Sequence, residues 1–186
     1  MSKLPSCKPL VRSLYPWEIE EARCVFANSL DYRCIRIHEC VTWPNTLDKI
    51  GRWLKRMPVI ETQNAITMGN HCFFPVNLQT QLVPVDDVEY YKLPWLIHEL
   101  THTWQYQHLG WRYLLQALGA QFRQKENAYN FGQAEGLKMH RREGWTLRKF
   151  NLEQQGDIAR SYYERIRKGE DVTDWVPYIE DIQHQA

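Results

Sequence analysis

Ile19, Ala22, Val25 and Phe26 recur at helical spacing behind Pro16, which predicts a helix over residues 16–26. Asn28-Ser29-Leu30-Asp31 reads as a turn. From Tyr32 to His38 the pattern alternates. Arg33, Ile35 and Ile37 point one way and Cys34, Arg36 and His38 the other, so a strand with one mainly apolar face is expected. Leu47, Ile50, Trp53 and Leu54 suggest a short helix over 47–57. Ala65 to Pro75 reads as a hairpin with Gly69-Asn70 at the turn, and Pro75 points to an edge strand because proline offers no ladder N–H. Residues 79–92 are polar and read as a loop.

The stretch from Leu93 to Gln105 is apolar nearly all round, which predicts a buried helix with Pro94 in its first turn. Gly110-Trp111 ends or bends it, and Leu114, Leu115, Leu118 and Phe122 predict further helix over 111–124. Residues 125–150 are less regular. Asn151 followed by Gln154 resembles a capping box, opening a helix from Leu152 to about Arg167. Residues 1–13 read as an extended arm and 168–186 as a loosely packed tail. Together these elements imply a single domain over 1–186 of the α+β class. A small, mostly antiparallel sheet would pack on the helix of residues 93–105, with the helix that opens at Leu152 crossing behind it.

That buried helix carries His98, Glu99 and His102, the pattern H-E-x-x-H. Positions i and i+4 share a helix face, so both imidazoles can reach one metal ion. Glu99 lies about 100° round the helix from His98 and can lean over a metal-bound water without ligating. This is the arrangement of a zinc peptidase, with Zn2+ as cofactor and Glu99 as general base. A core helix with hydrogen-bonded histidines is the alternative, but polar groups in so apolar a helix are costly unless something binds them.

Catalytic zinc usually takes three protein ligands and a water, and two residues compete for the third place. His108 has the spacing of H-E-x-x-H-x-x-G-x-x-H enzymes, but Gln105 stands where those need a glycine to break the helix. Glu153 opens the later helix with Asp157 one turn on, so the two share a face. Glu153 would ligate, and Asp157 would accept the outer N–H of a ligating histidine. An oxyanion donor is also needed; Tyr129, His140, Tyr162 and Tyr163 are the candidates.

Composition narrows the classes. Apolar content of 44% and charged content of 24% are those of a globular domain. A net charge of +1 gives no electrostatic case for nucleic acid or an anionic membrane. No apolar run is long enough for a transmembrane segment, and no apolar signal region follows Met1. The expectation is a chain made in the cytoplasm and exported, if at all, by a route that needs no cleaved signal. The five cysteines are odd in number and include no C-x-x-C pair. Reduced thiols are therefore expected, with a disulfide among Cys24, Cys34 and Cys40 as the alternative in an oxidising compartment.

H-E-x-x-H followed by Glu-x-x-x-Asp resembles the gluzincin zinc peptidases. Ile97-His98-Glu99-Leu100-Thr101-His102-Thr103-Trp104-Gln105-Tyr106-Gln107, with Asn151-Leu152-Glu153-Gln154-Gln155 and Tyr162-Tyr163, is more closely similar to a bacterial family. These are the HExxH peptidase domains found alone or fused to type VI secretion spike (VgrG-type) and Rhs-like proteins. Weaker similarity runs through Ala22 to Phe26, Ser29 to Tyr32 and Ile66 to Asn70; Thr103 departs from the valine common there. The resemblance implies a minimal gluzincin-like fold, peptidase chemistry on a peptide or protein substrate and, for spike-fused members, antibacterial toxicity outside the cytosol. A secretion-system carrier and an immunity protein are the partners it implies. A zinc amidase acting on cell-wall peptide and a non-catalytic zinc-stabilised binding module are the competing classes.

Overall fold

The computed structural model describes residues 7–43, 64–78, 80, 92–121 and 130–184, with the backbone alone described for 112–121. The short helix expected over 47–57 and Tyr129 lie outside the described residues. The fold is α+β. Strands β1 (Leu10–Arg12), β2 (Arg36–Glu39), β3 (Ile66–Met68) and β4 (His71–Phe73) form one sheet in the order β1-β2-β4-β3. The outer pairs are antiparallel and β2 runs parallel to β4. Helices are α1 (Pro16–Phe26), α2 (Lys92–Gln121), α3 (Gln133–Arg142), α4 (Leu152–Lys168) and α5 (Val176–Gln183).

Period-two alternation sets the two faces of the sheet. Ile37 and Cys72 are register partners, are wholly buried, and turn inward. Cys72 Sγ lies 3.4 Å from Thr103 Oγ1, which seats the inner face on α2. His38 turns the other way, where its ring stacks on Phe73 and pairs with His71 at 2.8 Å. The hairpin falls where its Gly69-Asn70 turn predicts, with Gly69 at φ 63°. The edge position is different. β4 is paired on both sides and Pro75 lies beyond its end, so the edge strand of this hairpin is β3, with β1 at the opposite edge of the sheet. The residues from Tyr32 to Cys34 form a 3-10 turn, and the alternating strand starts only at Arg36.

α2 is the central element, and Leu96, Leu100, Thr101, Thr103 and Gln105 are fully buried on it. It breaks at Gly110, whose φ 68° and ψ 174° are open to glycine but costly for other residues. α4 begins at an Asn151 cap that accepts from Gln154 N at 2.8 Å and lies along α2. Two regions are more ordered than their patterns suggest. Residues 133–142 form a helix, and the C-terminal segment buries Trp175, Tyr178, Ile179 and Ile182 in the core. The apolar residues of that segment are few but sit on one side of α5, which is enough to close the core beside α1.

The N-terminal arm is part of the sheet. Antiparallel register sets Leu10 opposite Glu39 and carries the preceding residues past the end of β2. There Cys7 is disulfide-bonded to Cys40, with Cα atoms 5.5 Å apart, contrary to the expectation of reduced thiols. Cys24, Cys34 and Cys72 are free. Arg12 bridges Glu18 and Glu39 at 2.7 Å each, with both carboxylates buried. Removing the cation would leave two buried anions. Arg12→Ala should therefore lower stability by about 3–5 kcal/mol, read from the shift in denaturant midpoint.

Candidate metal centre

His98 and His102 are one turn apart on the buried face of α2, and their Nε2 atoms are 3.2 Å apart. Glu153 arrives in the first turn of α4, where the positive end of the helix dipole favours a carboxylate. Its Oε2 is 3.3 Å from His98 Nε2 and its Oε1 3.7 Å from His102 Nε2. One ligand atom from each of the three residues lies within 4.8 Å of the others, so the group could hold a metal ion. The third member is Glu153. His108 instead turns back to the Trp104 carbonyl, 2.9 Å from its Nδ1, because α2 continues through Gln105 without a break.

The other ring nitrogens face polar side chains of α2 and α4. His102 Nδ1 lies 2.9 Å from Gln105 Oε1. His98 Nδ1 lies 3.1 Å from Asp157 Oδ1, and Arg160 reaches the same oxygen at 3.1 Å. With both protons on Nδ1, two imidazole lone pairs and a carboxylate converge on one point. Tetrahedral coordination at about 2.0–2.1 Å sets nitrogens about 3.3 Å apart, close to the 3.2 Å found here. The residues therefore fit a zinc-sized cation.

Without a cation the site attracts protons. Burial opposes a charged His98, but the Asp157 and Glu153 carboxylates outweigh it and raise its pKa to about 10. His102 is raised too, with burial again opposed by Glu153. Glu153 is pushed well below the usual carboxylate range, burial being overcome by His102 and His98. A metal must displace these protons, since only neutral imidazole ligates. Binding at neutral pH should release protons, seen as a calorimetric enthalpy that changes with the buffer's ionisation heat. Affinity should fall as pH is lowered.

Glu99 is buried beside the group, and its charge acts on both histidines. Thr67 on the edge strand β3 donates to Glu99 Oε2 at 2.7 Å. Gly156 packs flat on the His98 ring: a Cβ there would lie 2.8 Å from Cε1 and 2.9 Å from Nδ1.

Of the oxyanion candidates, Tyr129 is outside the described residues. Tyr162 lies nine residues beyond Glu153, about 180° round the helix at ~3.6 residues per turn. There it packs against the core with its phenol near Cys24 of α1, away from the ligand group. Tyr163 donates to Glu21 Oε2 at 2.6 Å, and His140 stacks on Trp145.

Sequence reasoning missed Thr67, Gln155 and Gly156, and gave Gln105 no role at the site. A glycine inside a good helix pattern was the one available signal for Gly156. Nothing local marks the others, because each acts on an element distant in the chain.

Over 152 residues, 82% of its length, the chain is 31% identical to the type VI secretion system spike protein VgrG2b of Pseudomonas aeruginosa. The match covers 13% of that protein, so the chain corresponds to a small part of it. No protein-family model matches the chain, and no solved structure does.

Proposed function

We propose that the chain is a zinc metallopeptidase, associated with a bacterial type VI secretion system as a delivered antibacterial effector. The observation that carries the chemistry is the convergence of His98, His102 and Glu153 with Glu99 beside them. The spike-protein relative supports the secretion-system association and a spike-type carrier. No helix among the described residues is long and apolar enough to cross a membrane, which accords with delivery by such a carrier.

In this reading His98, His102 and Glu153 hold zinc, while Asp157 and Gln105 keep the imidazoles in their ligating orientation. When bound, zinc supplies a Lewis acid that lowers a water's pKa to about 7 and polarises a carbonyl. Glu99 takes the attacking water's proton and passes it to the departing amine. Thr67 fixes one carboxylate oxygen of Glu99 and leaves the other to handle the proton. β3 is one of the two edge strands among the described residues and carries Thr67, so an extended peptide pairing along β3 would lie beside the base.

The test is zinc content of purified wild type, Glu153→Ala and His108→Ala, followed by hydrolysis of casein and of purified peptidoglycan. Glu153→Ala should lose zinc while remaining folded, and His108→Ala should keep it. Cleavage of casein supports the peptidase, and cleavage of peptidoglycan alone makes the protein a cell-wall amidase. Zinc binding without either activity, and without binding of a hydroxamate to the metal, returns the site to a structural staple.

A further inference from the structure

We propose that Gln105 and Gln155 form a buried relay that fixes His102 as a metal ligand and couples the ligand group to the seating of α4 on α2. The inference rests on reading His98, His102 and Glu153 as ligands. A neutral imidazole keeps one proton, and the nitrogen that keeps it cannot bind metal. His102 Nδ1 faces Gln105 Oε1 at 2.9 Å, which makes Nδ1 the donor and frees Nε2 for the metal. An amide can be turned end for end, however. Turned, Gln105 would aim its NH2 at Nδ1 and drive the imidazole proton onto Nε2.

The far end of the side chain prevents this. Gln105 Nε2 donates to the Leu152 carbonyl and to Gln155 Oε1, both at 3.0 Å. Turning the amide would set its oxygen against two acceptors. Gln155 is fixed in its turn, since its Nε2 donates to the Phe150 carbonyl at 2.8 Å. A backbone carbonyl can only accept, so the chain of bonds has one allowed direction from Phe150 through both amides to His102. Gln105 is wholly buried and Gln155 is 2% exposed, so solvent cannot substitute for a lost partner. Leu152 and Gln155 flank Glu153, so the same bonds hold the turn that presents the third ligand. This also gives Gln105 a role at the position where a third-histidine motif would need glycine.

The experiment measures zinc affinity by chelator competition, with zinc alone as probe, for the wild-type chain, Gln105→Met and Gln155→Met, each checked for folding by circular dichroism. Gln105→Met should weaken zinc binding about 10–100-fold. Gln155→Met should weaken it less, because the Leu152 carbonyl still holds Gln105. In the zinc-loaded wild type, NMR should show a His102 Nδ1 proton that exchanges slowly with water and lies close to the Gln105 side chain. Glutamines that merely fill space would shift the melting temperature without altering zinc affinity. The proposal is overturned if the folded variants bind zinc within about twofold of wild type, or if the His102 Nδ1 proton exchanges freely. Should Gln105→Met fail to fold, Gln155→Met and the wild-type spectrum decide. A folded wild type that binds no zinc overturns the ligand reading itself, which sets that failure apart from failure of the relay alone.

Discussion

Glu99→Gln should keep zinc and lose hydrolysis, with kcat/KM falling on the order of 10²–10⁴-fold. Glutamine has nearly the shape of glutamate, and its amide oxygen can still accept the Thr67 hydroxyl that holds Oε2 at 2.7 Å. His98, His102 and Glu153 are untouched, so the ligand group should remain. What disappears is a group able to take a proton from water and return it to the leaving amine. The measurement pairs zinc content with initial rates on casein, under conditions where the wild type is active. Full activity with zinc bound would remove Glu99 from the mechanism. Lost zinc would mean instead that its charge helps assemble the site.

Gly156→Ala separates local from tertiary control more sharply. By helix propensity alone, alanine in the interior of α4 should stabilise the chain by about 0.8–1 kcal/mol. The structure predicts the opposite sign. The new Cβ would meet His98 Cε1 at 2.8 Å and Nδ1 at 2.9 Å, closer than real contacts allow. The His98 ring has little freedom to yield, because Asp157 and Glu153 lie against its two nitrogens at 3.1 and 3.3 Å. Either the ring turns from the metal or α4 lifts from α2. Overpacking of this kind costs about 1–3 kcal/mol, so the metal-free protein should melt lower. Zinc affinity should fall with it, by at least the 10–100-fold typical of disturbing a ligand's support. A higher melting temperature with zinc affinity intact would show that α4 does not press on His98.

The parts of this site that were legible in the sequence are those fixed by a single helical turn. His98 and His102 share a face because they are four apart, and Glu153 and Asp157 do so for the same reason. The Asn151 cap and the Gly69-Asn70 turn are likewise local chemistry and stand where their residues place them. Legibility fails where a side chain answers to a distant element. Tyr162 is near the Glu153 motif in sequence, yet helical rotation carries it to the other side of α4. Cys7 and Cys40 are 33 residues apart and meet only because β1 pairs with β2. The tail looked loose because its apolar residues are few, but α5 gathers Tyr178, Ile179 and Ile182 on one side against α1.

The sequence by itself determined the α+β class, the buried HExxH helix and the pairing of Glu153 with Asp157, since backbone periodicity converts residue spacing directly into a shared face. Only the tertiary structure decided that β3 rather than β4 is the hairpin's edge strand, that His108 turns away, and that Gly156 must lack a side chain. It alone joined Gln105 to Gln155 across two helices. These are contacts between elements far apart in the chain, set by how α4 docks on α2 and how β4 inserts beside β2, and no local pattern encodes a docking geometry.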